Sequence, residues 1–266
     1  MLKKIKRIFY LSKRRKFVIS ATILSFGLLF IQEIQGIYHY GAIAGLSLIT
    51  VLLSIWSLKE DIRKIGWVMA LILPTFFTAS INLFYFLLPE RLVIRLAFMA
   101  LFGIGMYALL LTENIFTVAA LRTIQLLRAA QALGFVLTLF VAFLLYDTIF
   151  SYKLEPWYNA GLVLLASFPL VLQGVWSAKL EDKLSKKTLS YSLILTFILG
   201  QMAMIISMWP VTIIIASLFL VTVFYVILGI IQQALVGRLF RQTAFEYLRV
   251  GIAVLLIVLF IARWRG

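Results

Sequence analysis

The sequence predicts an all-α fold, a polytopic transmembrane helix bundle, and three observations point to it. Of the 266 residues, 64% are hydrophobic and 13% charged, whereas soluble domains are roughly half apolar and a quarter charged. Apolar runs recur from Phe17 to the C-terminus, and about 20 such residues cross a hydrocarbon core roughly 30 Å thick. The longest plainly hydrophilic connection, "AKLEDKLSKKT" at 178–188, is too short to fold by itself. Residues 1–266 therefore read as a single integral membrane domain.

The hydropathy pattern predicts about nine spans, at 17–31, 42–58, 65–88, 92–111, 133–150, 160–175, 189–208, 211–231 and 250–262. The first follows the basic stretch "MLKKIKRIFYLSKRRK" at 1–16. Such a start suits a signal peptide, but no small-residue cleavage site follows, so the span is retained. The second opens at "GAIAG", Gly41 to Gly45, a small-xxx-small pattern that suits helix contact. Pro74 and Pro169 interrupt the third and sixth spans and predict local kinks. In the fourth, "GIGMYA" at 103–108 fits a GxGxxA pattern, yet it lacks the strand that a dinucleotide site requires, and close helix packing explains it better. The ninth is short. Arg249 and Arg263 flank it and snorkel to opposite surfaces if it crosses; if it does not, eight spans remain.

Charge sets the predicted orientation. With a cytoplasmic N-terminus, the connections on that side carry most of the 25 Lys and Arg residues, the bias expected of an N-in protein. The net charge of +15 then implies anionic lipids at the cytoplasmic face. No basic groove interleaved with aromatic platforms points to nucleic acid.

Residues 113–131 carry Arg122 and Arg128 between the fourth and fifth spans. Were this segment to cross, the later basic connections would face outward. It is therefore predicted as a cytoplasmic interfacial helix, with Thr112 or Asn114 as N-cap and Glu113 near the positive helix end. Polar and apolar residues occupy separate arcs at 100° per residue, with interruptions. Arg122 and Arg128 become a candidate partner face, for a membrane-protein partner or a second copy of the chain. A second interfacial segment is predicted at 237–249, within "GRLFRQTAFEYLR". The spacing of these segments also suits two four-span halves in a parallel repeat.

The stretch "YALLLTENIFTVAALRTIQLLRAAQALGF", residues 107–135, resembles uncharacterised multi-pass membrane proteins, a domain-of-unknown-function family of candidate-phyla bacteria. The resemblance implies a bacterial cytoplasmic (inner) membrane setting. It brings no activity and no functional residues.

Chemistry is sparse. The chain has no cysteine and one histidine, His39, so thiolate sites and multi-histidine metal centres are excluded. No P-loop, HExxH or GxSxG signature occurs. No catalytic, cofactor or metal residue is assigned, and no cofactor is expected. The candidate functional polar positions are Asp147, Arg95, Glu90 and Arg91 near the outer face, and Asn82 and Gln201 deeper in the spans. Nearby Glu33, His39, Lys153 and Glu155 complete the outer group. An acid with arginines suits a lipid phosphate, and equally suits span ends meeting water. Asp147 and Arg95 share a predicted depth and are a candidate ion pair. Deep amides line a solute path or bind helices together at about 0.6 kcal/mol each. Three function classes follow: a non-enzymatic subunit or scaffold of a membrane assembly, a small-solute transporter or lipid translocator, and an enzyme acting on a lipid-linked substrate.

Overall fold

In hydrocarbon a backbone amide or carbonyl must be satisfied within its own segment, which makes a long apolar run a helix. The computed structural model describes residues 12–34, 36, 38–58, 65–89, 91–119 and 125–262. Among them lie nine helices and no strand: α1 (Lys13–Ile31), α2 (Tyr38–Leu58), α3 (Gly66–Tyr85), α4 (Leu92–Ala119), α5 (Leu127–Ser151), α6 (Pro156–Trp176), α7 (Lys186–Ser207), α8 (Ile213–Leu235) and α9 (Arg241–Ile261). The eight from α2 to α9 are long and apolar enough to cross a membrane. Helix α1 opens with Lys13, Arg14, Arg15 and Lys16, so its apolar part starts only at Phe17.

Helices α1 to α4 pack as a ring, each against the next and α4 back against α1; α5 to α8 close in the same way. The two quartets meet mainly where α3 and α4 touch α5 and where α3 touches α6. Helix α9 packs on α8, and Val258 is its one buried residue. One core of buried side chains, including Leu24, Phe77, Phe102, Val141, Leu199 and Phe224, runs through both quartets.

Close approach explains the glycines of "GIGMYA". A Cβ on Gly105 would stand 2.5 Å from the Phe77 ring, and one on Gly103 would stand 2.7 Å from Ser25 Oγ. The small-residue pattern at Gly41 and Gly45 is different, since nothing lies within 4 Å of a Cβ at either. Among the described residues neither glycine makes a close helix contact.

Where they are described, the residues of the two predicted interfacial segments belong to longer helices. Glu113 to Ala119 continue α4 without a break, Leu127 to Gln131 open α5, and 120–124 lie outside the described residues. Thr112 is no cap: its hydroxyl donates to the Ala108 carbonyl at 2.8 Å, and Thr117 donates to Asn114 O at 2.9 Å. With its hydroxyls satisfied inside the helix, the segment has no reason to start anew. Likewise, residues from Arg241 onward in the second segment form the first turns of α9, which at 21 residues is long enough to cross.

Candidate anion-binding pocket

The chain reverses direction at each short connection, which gathers Lys13 to Lys16, Arg128, Lys183, Lys186, Arg238 and Arg241 at one end of the bundle. At that end a cavity of about 390 Å³ opens between the start of α5, the end of α6, the end of α8 and the start of α9. Its polar lining is Arg128, Gln131, Gln232, Gln233, Arg238 and Tyr247. Its apolar wall includes Ala132, Phe135, Val136 and Val236, and no carboxylate lines it among the described residues.

Each element brings its residue for a local reason. Helix α8 ends in a Schellman motif. Gly237 takes φ +71°, its N–H donates to Ala234 O at 3.1 Å, and the Arg238 N–H donates to Gln233 O at 2.9 Å. These bonds satisfy carbonyls that the helix end would leave open, and they turn the chain so that Arg238 reaches the rim. Gln131 Nε2 donates to Ser177 O at 3.0 Å and to Ala178 O at 3.3 Å, while Gln232 Nε2 donates to Gly174 O at 2.8 Å. The last turn of α6 is thus tied to both α5 and α8. Tyr247 lies over Gly229 and beside Tyr225, whose ring meets Phe135 edge-on at 5.7 Å.

Arg128 and Arg238 are both exposed, and neither has an ion-pair partner among the described residues. Two guanidinium groups in one polar recess, with no carboxylate among its described lining, suit an anion with several oxygen acceptors.

Of the residues singled out in the sequence, Arg128 alone enters this pocket; Arg122 and Glu90 lie outside the described residues. At the opposite end Arg95 pairs with Glu33 and donates through Nε to the Tyr85 hydroxyl at 3.2 Å. Asp147, 6% exposed on α5, faces α8 instead, where Ser217 Oγ stands 3.5 Å from Oδ1. The Asp147 and Arg95 pair is therefore overturned: the two, predicted at one depth, point to different neighbours. Arg91 is exposed. Asn82 is buried and donates to Thr78 O of its own helix at 2.7 Å, and Gln201 is exposed on α7. Also at that end, the Tyr40 and Tyr152 hydroxyls are 3.0 Å apart. Burial and the Tyr40 hydroxyl push the Tyr152 phenol up to about 12.

Sequence reading missed Gln131, Gln232, Gln233, Arg238 and Tyr247. The signal available was "QQ" closing a strongly apolar span one turn before a glycine and an arginine. Sequence reading placed Glu113 at a helix start, whereas Glu113 is fully buried and accepts from Gln173 Nε2 of α6 at 2.6 Å.

No curated protein and no solved structure matches the chain. The resemblance seen at 107–135 extends much further, because residues 42–261 match the sequence model described as "Protein of unknown function (DUF5656)". A match over that much of the chain makes it, with its eight membrane-length helices, a member of the DUF5656 family of proteins of unknown function.

Proposed function

We propose that the chain is a non-enzymatic, lipid-binding subunit of an assembly in the bacterial cytoplasmic membrane, holding the phosphate of an anionic lipid headgroup at the basic end of the bundle. The observation that carries the reading is the presence of Arg128 and Arg238 in one cavity of about 390 Å³ whose described lining holds no carboxylate. Basic recesses between membrane helices recognise anionic headgroups, and the positive-inside bias supports reading this end as the cytoplasmic one. A lipid fits better than free phosphate because Ala132, Phe135 and exposed Val136 continue the recess as an apolar wall. The subunit role rests on α9, which among the described residues packs mainly on α8 and has Val258 as its one buried residue, the disposition of a helix at the edge of the bundle.

Lipid translocation would use the same pocket and adds movement of the headgroup between leaflets. Solute transport along Asn82 and Gln201 has less support, since one amide is bound to its own helix and the other is exposed at the bundle surface.

The test is native mass spectrometry of protein held in mixed micelles of phosphatidylglycerol and phosphatidylcholine, with a parallel sample given inorganic phosphate. One retained phosphatidylglycerol, weakened at least about tenfold in Arg128→Gln/Arg238→Gln, is expected, because each charge-assisted contact contributes about 1.5–3 kcal/mol. Equal retention of both lipids, or no effect of the double variant, overturns the reading. Retention of phosphate alone moves it to a soluble anion.

A further inference from the structure

The first quartet sends one carboxyl into the second. Glu113 of α4 is fully buried, and its one side-chain hydrogen-bonding partner among the described residues is Gln173 of α6, whose Nε2 donates to Glu113 Oε1 at 2.6 Å. Two oxygens of the same pair, Glu113 Oε2 and Gln173 Oε1, are buried with no hydrogen-bond partner. Among the described residues the surroundings offer no counter-charge. One turn on along each helix stand Phe116 and Trp176, which belong to a buried apolar cluster with Met69, Ala130 and Leu172 from α3, α5 and α6. Among the described residues no Lys, Arg or His pairs with Glu113.

Leaving a buried polar atom unsatisfied in such a place is costly, and a bare carboxylate without a cation is more so. Both orphan oxygens are acceptors. One added proton satisfies both, since an O–H on Glu113 Oε2 donates to Gln173 Oε1 while the existing N–H donates back to Glu113 Oε1.

We propose that Glu113 and Gln173 form a proton-binding site between the two quartets, holding one proton in a closed acid–amide pair. The pair is neutral and carries two hydrogen bonds, the arrangement low-dielectric surroundings favour. It differs from the lipid pocket in ligand and location, although Gly174, the neighbour of Gln173, is the residue that Gln232 holds at the pocket. With the proton bound, α4 and α6 are latched; without it one hydrogen bond remains and a charge is left in the interior. Ionisable groups inside membrane spans mark proton sites often enough for this to be the first ligand to test.

The experiment is infrared spectroscopy of the whole protein in lipid nanodiscs at neutral pH, with and without carboxyl-¹³C glutamate, on wild type and Glu113→Gln. A carboxylic-acid carbonyl band that moves with the label and vanishes in Glu113→Gln is expected. That variant should melt at the wild-type temperature, because a glutamine amide supplies both hydrogen bonds. Absence of the band in wild type, a band unmoved by the label, or its survival in Glu113→Gln overturns the proposal. If Glu113→Gln does not fold, labelled wild type decides: a band that persists after the nanodiscs are brought to mildly alkaline pH, where exposed glutamates are ionised, supports the site, and its loss there overturns it. Lipid retention is read separately, so failure here leaves the pocket reading standing.

Discussion

Gly229 of α8 and Tyr247 of α9 are in such close contact that a Cβ on the glycine would stand 2.3 Å from the tyrosine ring. The contact matters because α9 leans on α8 and buries only Val258. Gly251 makes the matching approach from the other side, where a Cβ would meet Val226 at 3.1 Å. Association of membrane helices depends on this kind of backbone approach, since the apolar driving force is absent between helices in lipid. Gly229→Ala should cost about 1–3 kcal/mol through overpacking and loosen α9. The chain has no cysteine, so a Val226→Cys/Gly251→Cys pair reports the contact on a blank background; cross-linking that survives Gly229→Ala undiminished would contradict the argument.

The end of α8 supplies a second prediction. Gly237 holds φ +71°, a left-handed conformation that costs a residue bearing Cβ roughly 1–2 kcal/mol. The strain of Gly237→Ala falls on the turn that sets Arg238 at the pocket rim. Phosphatidylglycerol retention should drop while the cross-link between Val226→Cys and Gly251→Cys stays as strong as in the parent. A loss of both would mean that the turn serves the fold rather than the pocket.

How far this arrangement was legible beforehand differs residue by residue. Span positions follow from apolar length, and Arg128 stood out because a charge beside a span must face water or a partner. Glu113 was misplaced because Thr112, Glu113 and Asn114 in sequence look like a helix start. The hydroxyl of Thr112 instead bonds back to Ala108, and Gln173, sixty positions away, takes the acid. Arg249 was read as a boundary of the last span, yet it lies within α9, where a long basic side chain snorkels to the surface. The pocket itself joins four helix ends, and no periodicity within one helix encodes which ends meet.

Arg95 and Glu33 make the third prediction. Their ion pair sits at the bundle end, with the Glu33 side chain 68% exposed, so solvent screens it and its worth is about 0–1 kcal/mol. Glu33→Gln should shift thermal unfolding little, and Asp147→Asn should leave Arg95 undisturbed. A charge-reversed Asp147→Arg/Arg95→Asp protein should gain nothing over the single variants; rescue in that double variant would restore the pairing that the structure separates.

The tyrosine pair at the same end gives a prediction for alkaline pH. Burial first, and the Tyr40 hydroxyl second, push the Tyr152 phenol up to about 12, against an ordinary value near 10. The fold therefore binds this proton more tightly than the unfolded chain does. Its contribution to stability is complete below about pH 10 and is lost as pH rises from about 10 through 12. Tyr40→Phe removes the hydroxyl that accompanies burial, so Tyr152 should ionise earlier and the alkaline loss of stability should begin at lower pH. Tyrosinate absorbance, taken as the difference between each protein and its Tyr152→Phe counterpart, isolates this phenol from the other ten tyrosines of the 11. An unchanged midpoint in Tyr40→Phe would assign the whole effect to burial.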